Sequence, residues 1–330
     1  MDATCVAVTG VSGYLGSAIL DVLQNDDRVS KVIGFDLKPP AKPVDKLEFH
    51  QLDVTSPSLV DKVEASGATR MLHLAFVLDA THDREKVRRI DVDGTRNVLT
   101  VAKRCQLQAL TLASSSVVFG AHPDNALPIA EDEPVRPDPG VQYMLDKVVV
   151  EEMALAFHAE HPACAVTILR PVTIVGPGMN NFISRFLERG LLMVPRIKDA
   201  QWQCVHERDC ARAFVAANFS GRSGIYHVAA DDWYPFADLI AAMKKPTVRL
   251  PLSLMTALTE LGWQSRITAL SEVPGALVKY LCYLPIIDNS KIKRDLQFTF
   301  EYNSRSAMQT YLDARHHGSG KESRDVSKSQ

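Results

Sequence analysis

Thr4-Cys5-Val6-Ala7-Val8-Thr9, followed by Gly10-Val11-Ser12-Gly13-Tyr14-Leu15-Gly16, decides the fold of this chain. The first six residues are apolar and β-prone, and they read as a buried strand. A helical pattern begins at about Tyr14 and runs to Gln24. Between them the glycines recur as G-x-x-G-x-x-G. A side chain at such a turn would keep phosphates away from the backbone. The helix that follows presents unpaired N–H groups and the positive end of its dipole to the turn. The stretch therefore predicts a strand–turn–helix that cradles a pyrophosphate at Gly10, Gly13 and Gly16.

Outward from this turn, apolar runs at 31–36, 47–52, 71–76, 109–114 and 165–170 read as further strands. Helical patterns lie between them at about 56–65 (capped by Thr55 or Ser56, with Pro57 in its first turn), 84–105 and 141–160. Alternating strands and helices predict an α/β fold, a doubly wound parallel Rossmann sheet. In such sheets ligands bind beyond the carboxyl ends of the strands. After Pro171 the texture changes to Pro, Trp and short helical patterns, interrupted by a helix at 207–219 and a strand at 224–229. This predicts a nucleotide-binding domain of residues 1–171 plus about 205–230, and a smaller substrate lobe of 172–204 plus 231–314. The polar, Gly/Ser-rich stretch 315–330 is expected to be a disordered tail.

Composition narrows the function. The chain has 330 residues, 46% hydrophobic and 23% charged, enough for a core without disulfides. Its net charge of -2 offers no global field for nucleic acid or an acidic membrane. The six cysteines form no CxxC pair, and no leader is visible at Met1–Thr4, so a cytoplasmic location is expected. No run is long and apolar enough for a spanning helix.

Three sets of residues carry chemistry. Asp36 ends the second strand, 20 residues after Gly16, where a carboxylate accepts hydrogen bonds from ribose hydroxyls and repels a 2′-phosphate. It therefore favours NAD over NADP, although Lys38 stands nearby. Asp53 follows the third strand, placed either to meet an adenine amino group or to cap the next helix. Tyr143 and Lys147 are four residues apart in a helical segment, hence on one face. A neighbouring ammonium group favours the phenolate and lowers a tyrosine's proton affinity. Ser114, Ser115 and Ser116 stand at the carboxyl end of the fifth strand, where a hydroxyl can donate to a substrate oxygen.

On VTGVSGYLG, Asp36, HLA at 73–75, GTRNVL at 94–99, SSSVVFG, Tyr143/Lys147, LRP at 169–171 and VHERDCARA at 205–213, the chain resembles the extended short-chain dehydrogenase/reductases, the NAD-dependent epimerase/dehydratase family. The resemblance covers about 1–230. It implies NAD bound by Gly10, Gly13, Tyr14, Leu15, Gly16, Asp36, Asp53, Val54, Leu74, Ala75, Lys147 and Pro171. It implies Ser115, five residues before Gly120, as the group that orients the substrate oxygen, with Tyr143 exchanging its proton and Lys147 assisting. Asp91 departs from the family's usual Asn.

Two further departures bear on substrate. Nucleotide-sugar enzymes of the family usually carry an arginine for the diphosphate seven residues before the position of Asp209, and Trp202 stands there instead. Their R-x-G-D-like segment is also missing near the C-terminus. Arg185, Arg196 and Arg208 are candidate substitutes. The apolar runs 250–263 and 273–287 fit a packed lobe, a lipophilic pocket or peripheral contact with a membrane. The expectation is an NAD-dependent oxidoreductase acting on a bulky, apolar secondary alcohol or ketone, like a 3β-hydroxysteroid dehydrogenase. A nucleotide-sugar epimerase with tightly bound NAD and a non-catalytic NAD-binding regulator stay open as alternatives. Cys204, His206 and Cys210 read as packing, and no metal is expected. The helices at 84–105 and 141–160 imply, by resemblance, a homodimer.

Overall fold

A computed structural model describes residues 3–197, 199–268 and 270–325, with side chains as far as Arg315. Its strands are β1 (Thr4–Thr9), β2 (Val29–Asp36), β3 (Leu47–Gln51), β4 (Arg70–His73), β5 (Ala109–Ala113), β6 (Ala165–Pro171), β7 (Thr173–Val175), β8 (Leu192–Pro195), β9 (Gln201–Trp202), β10 (Cys204–His206), β11 (Gly224–Val228), β12 (Tyr234–Pro235) and β13 (Thr247–Leu250). The helices are α1 (Tyr14–Gln24), α2 (Ser58–Ser66), α3 (Arg84–Arg88), α4 (Gly94–Arg104), α5 (Gln142–Glu160), α6 (Phe182–Glu188), α7 (Glu207–Phe219), α8 (Phe236–Ala242), α9 (Leu252–Gln264), α10 (Ser290–Leu296) and α11 (Ser304–Asp325).

Seven strands form one sheet in the order β11-β6-β5-β4-β1-β2-β3, and every pairing in it is parallel. The order reverses beside β1, so the cleft beyond β1 and β4 is the topological switch point. One face of the sheet packs on α1 and α7 through Ile19, Leu23, Phe214 and Val215. The other packs on α2, α4 and α5 through Leu59, Val63, Val98 and Ala154. Burial on both faces explains why the central strands are almost wholly apolar.

Three local expectations change. The strand expected over 71–76 ends at His73. Gly10, with φ +71°, packs so closely that a Cβ there would lie 2.7 Å from the Ala75 nitrogen, and the chain leaves the sheet at this point. The helix expected over 84–105 is instead α3, a π-helical turn at Arg89–Asp93, and α4. In that wide turn the Asp91 carbonyl accepts from the Thr95 hydroxyl at 2.6 Å. The second helix starts at Ser58 after Pro57, without a side-chain cap, because Asp53 binds Thr55 instead.

Beyond β6 the chain builds three two-stranded ribbons, β7–β10, β9–β12 and β8–β13, over a third core of Met179, Leu187, Trp202, Tyr234, Phe236 and Tyr311. The tail expected to be disordered continues as helix to Asp325, while 326–330 lie outside the described residues.

Candidate active site

The glycine turn opens onto a cleft of about 450 Å³ at the ends of β1, β2 and β4. Gly10, Gly13, Asp36, Asp53, Val54, Leu74 and Ala75 all line it. At Gly16 a Cβ would lie 2.2 Å from the Gly10 carbonyl, so this glycine lets α1 pack under the turn. The amides of Tyr14, Leu15 and Gly16 open α1, where N–H groups have no intrahelical acceptor. The side chains of Tyr14 and Leu15 point elsewhere. Leu15 packs into the sheet core. Tyr14 enters the third core beside Gly178 and Glu207. Pro171 is buried opposite Val228 at the end of β6 and does not line the cleft.

Asp36 faces the cleft with its carboxylate fixed by backbone donors. Oδ2 accepts from the Ser12 amide at 3.0 Å and Oδ1 from the Leu37 amide at 2.7 Å. A glycine turn, an open helix start and a fixed carboxylate in one cleft fit the adenosine diphosphate half of NAD. A 2′-phosphate there would meet a like charge.

Tyr143 and Lys147 project from the first turns of α5. Tyr143 is half-buried and lines a second, larger cavity of about 480 Å³. Ser115 lies within hydrogen-bonding reach of its phenol, which eases ionisation, but burial and the charge of Asp91 raise the hydroxyl above its ordinary proton affinity. The lowering expected from Lys147 is not expressed in this arrangement. The Lys147 ammonium instead donates to the Ala113 carbonyl at 2.5 Å and sits over the Phe76 ring, 5.3 Å from the centre of the Tyr143 ring. Lys147 is wholly buried, and desolvation makes it a weaker base than a free lysine.

The three serines separate cleanly. The Ser114 hydroxyl donates to Glu151, which also holds Arg170 through bonds of 2.9 and 2.6 Å, all three side chains buried. That network ties α5 to β6. Breaking it by removing one charged member would cost on the order of 3–5 kcal/mol. Ser116 is buried in the short helical turn that follows. Ser115 alone turns toward Tyr143.

Asp91 is fully buried. Its Oδ1 accepts from the Val77 amide at 2.9 Å, and its Oδ2 has no hydrogen-bond partner among the described residues. Burial raises its proton affinity, and the Lys147 charge opposes that rise. Val77 lines both cavities, so this bond fixes the segment between them. His73 bonds Thr9 and Thr95 at 2.8 and 3.0 Å, and burial lowers its pKa to about 3. It acts as a strand residue. The Cys204 thiol reaches the Ser304 carbonyl, His206 caps α7 and stacks on Tyr302, and Cys210 lies in the core.

The larger cavity was not legible as a set. Its walls come from Val77, Leu78 and His82 after β4, from Val117, Val141–Met144, Thr173, Phe182 and Trp202, and from Trp263, Leu277, Tyr280 and Leu284. His82 stacks on Trp263 at 3.9 Å, joining the loop after β4 to α9 across the cavity. Trp202, read from sequence as replacing an arginine, is one of the lining residues. None of Arg185, Arg196 and Arg208 lines it. Arg185 pairs with Glu272 and Asp79, Arg196 bonds the Arg249 carbonyl, and Arg208 approaches Glu301. A position just past the apolar run 71–76 was the only sequence signal for Val77, while Phe76 read as the last residue of that run.

Comparison with known proteins matches residues 6–229 to the profile described as the NAD dependent epimerase/dehydratase family. An uncharacterized protein of Mycobacterium tuberculosis is 24% identical over 94% of this chain and 84% of its own length. The decarboxylating sterol-4-alpha-carboxylate 3-dehydrogenase of Saccharomyces cerevisiae is 28% identical over 60% of this chain and 57% of its own. The UDP-glucose 4-epimerase of Thermotoga maritima, solved with UDP-glucose, superposes with a TM-score of 0.75 at 17% identity, over 96% of this chain and 99% of that one.

Proposed function

The chain belongs to the NAD-dependent epimerase/dehydratase family, and from that premise we propose that it oxidises or reduces a bulky, apolar secondary alcohol or ketone. One observation carries the substrate class. Tyr143 opens onto a cavity walled by Val77, Val117, Met144, Phe182, Trp202 and Leu284. Its single arginine among the described residues, Arg84, is bonded to the Gly140 carbonyl. A desolvated diphosphate needs several cationic or backbone donors, whereas an apolar skeleton gains from every wall residue it covers. The cavity volume lies within the range of small-molecule sites. The sterol dehydrogenase among the relatives supports the same class.

In this reading residues 1–171 with about 205–230 hold the cofactor, and 172–204 with 231–314 form the substrate lobe. Gly10, Gly13, the amides opening α1 at Tyr14, Leu15 and Gly16, Asp36, Asp53, Val54, Leu74 and Ala75 hold NAD. Pro171 supports the site from behind rather than by contact. NAD, when bound, supplies the acceptor or donor of hydride at its nicotinamide ring. The Tyr143 phenolate takes the proton of the substrate hydroxyl during oxidation, and the phenol returns it to the substrate oxygen during reduction. Ser115 donates to the same substrate oxygen and orients it. Lys147, whose ammonium lies 5.3 Å from the centre of the Tyr143 ring, assists through its positive charge. The apolar walls exclude water, which strengthens each of these polar contacts.

The cysteines are all free, in keeping with a reducing cytoplasmic setting. No described helix is long and apolar enough to cross a membrane. The helices α3–α4 and α5 form the dimer surface, and contact with a membrane is peripheral.

The test is a cofactor-coupled screen that follows NADH absorbance with sterol-like alcohols, hydroxy acids and sugar nucleotides. Turnover of hydrophobic alcohols is expected. Turnover of UDP-sugars with none of the hydrophobic alcohols would overturn the reading in favour of an epimerase or sugar-nucleotide dehydrogenase.

A further inference from the structure

We propose that the face formed by α9 and the β8–β13 ribbon docks on an anionic lipid bilayer, and that the substrate enters its cavity from that side. The proposal rests on the apolar-substrate reading above and adds the partner surface.

The helix α9 faces the cavities on one side and carries exposed leucines on the other. Inward, Glu260, Trp263 and Gln264 line the large cavity, while Met255 and Thr259 line a smaller groove of about 130 Å³. Outward, Leu254, Leu258 and Leu261 follow one another at the spacing of a single helical stripe and are 46%, 48% and 70% exposed. An ordinary surface helix turns its leucines inward, yet α9 buries only Met255 and Gly262. The exposed stripe is continued by Ile267 and Leu270 after the helix. On the ribbon, Met193 and Val248 stand opposite each other in register, and both are exposed.

This patch connects to the active site. The smaller groove has Leu191, Met193 and Leu270 among its lining residues, all three exposed to solvent. Its inner wall is Phe182, Ile183, Leu277 and Leu281, and the same four side chains line the cavity that holds Tyr143. The exposed patch and the cavity that holds Tyr143 therefore share one apolar wall.

Charge selects the occupant. Arg189 lines the groove, Arg249 and Arg266 adjoin Val248 and Ile267 in sequence, and none of the three forms an ion pair among the described residues. The acidic neighbours are engaged elsewhere: Glu272 pairs with Arg185, and Glu260 accepts from Gln264 and the Gly275 amide. Apolar side chains rimmed by unpaired cations match a bilayer of anionic headgroups. A second copy meeting this face about a two-fold axis would bring like charges together.

The experiment is sedimentation of the purified full chain with phosphatidylcholine vesicles, with and without phosphatidylglycerol. The wild type is expected to pellet with the anionic vesicles. The double variant Leu258→Asp/Leu261→Asp should lose roughly tenfold or more of its partitioning, with NAD binding and Tm unchanged. A second pair, Arg249→Gln/Arg266→Gln, should weaken binding to anionic vesicles alone. Failure of the wild type to bind, or unchanged binding by the leucine variant, would overturn docking. So would a wild-type dimer that the leucine variant converts to monomer, which would assign the face to a second copy. Vesicle binding is scored apart from turnover. Docking can therefore fail while soluble apolar alcohols are still oxidised, and the substrate reading can fail while the vesicles are still bound.

Discussion

Asp91 and Lys147 are both fully buried and oppositely charged, yet each is bonded to a different backbone group. The carboxylate takes the Val77 amide, and the ammonium gives its bond to the Ala113 carbonyl. The groups facing Lys147 are Asp91 from the π-helical turn, His73 from β4, and Tyr143, Asp146 and Glu151 from its own helix, with Arg88 of α3 held on Asp146. Of the acids, Asp91 acts most strongly on the lysine, and it also opposes ionisation of Tyr143.

Replacing Asp91 with Asn keeps an acceptor for Val77 and removes only the charge. Tyr143 then ionises at lower pH, and Lys147, without its main counter-charge, releases its proton at lower pH. Both limbs of the pH–rate profile for alcohol oxidation should move toward acid, by about one unit. Profiles of kcat and kcat/KM that stay in place would remove Asp91 from the proton economy of the site.

Tyr143→Phe deletes the proton-transfer oxygen and little else. Turnover should fall by about a thousandfold or more, while NAD binding, read by calorimetry, stays within about twofold. Comparable turnover in wild type and variant would remove the tyrosine mechanism.

Asp36 accepts from Ser12 and Leu37, and an amide of the same shape keeps part of that bonding. Asp36→Asn should reduce the preference for NAD over NADP by about tenfold, through loss of charge repulsion at the 2′ position. The ratio of kcat/KM for the two cofactors measures it, and a ratio equal to that of the wild type would place the selectivity elsewhere.

His73 sets an acid limit on stability. Its pKa falls from 6.5 to about 3 on folding, so the unfolded chain binds a proton that the folded chain refuses. The His73 contribution is intact above the unfolded value and is lost as pH drops from about 6.5 toward 3. The loss is on the order of 5 kcal/mol over the full window. His227, also lowered to about 3 chiefly by burial, adds in the same direction. Urea midpoints at neutral and mildly acid pH should therefore converge in His73→Gln relative to the wild type. An equally large acid drop in that variant would exclude His73 as a source.

The sequence determined what depends on neighbours along the chain. The run at 4–9 and the glycine turn gave β1 and α1 with their observed ends, and Glu207–Phe219 appeared as expected, because periodicity and turn chemistry are local. The spacing of Tyr143 and Lys147 placed both on the start of α5 for the same reason. Among Ser114, Ser115 and Ser116 the family resemblance already singled out Ser115, and only the tertiary structure decided that Ser114 is engaged elsewhere, since Glu151 and Arg170, far along the chain, claim it. It turned the Tyr14 side chain into the third core rather than toward the cleft. It ended β4 early, because Gly10 packs against the backbone of Ala75. It also assembled the apolar cavity from segments as distant as Val77 and Leu284. Such contacts follow from how separate elements close-pack, and no local pattern in a single chain records them.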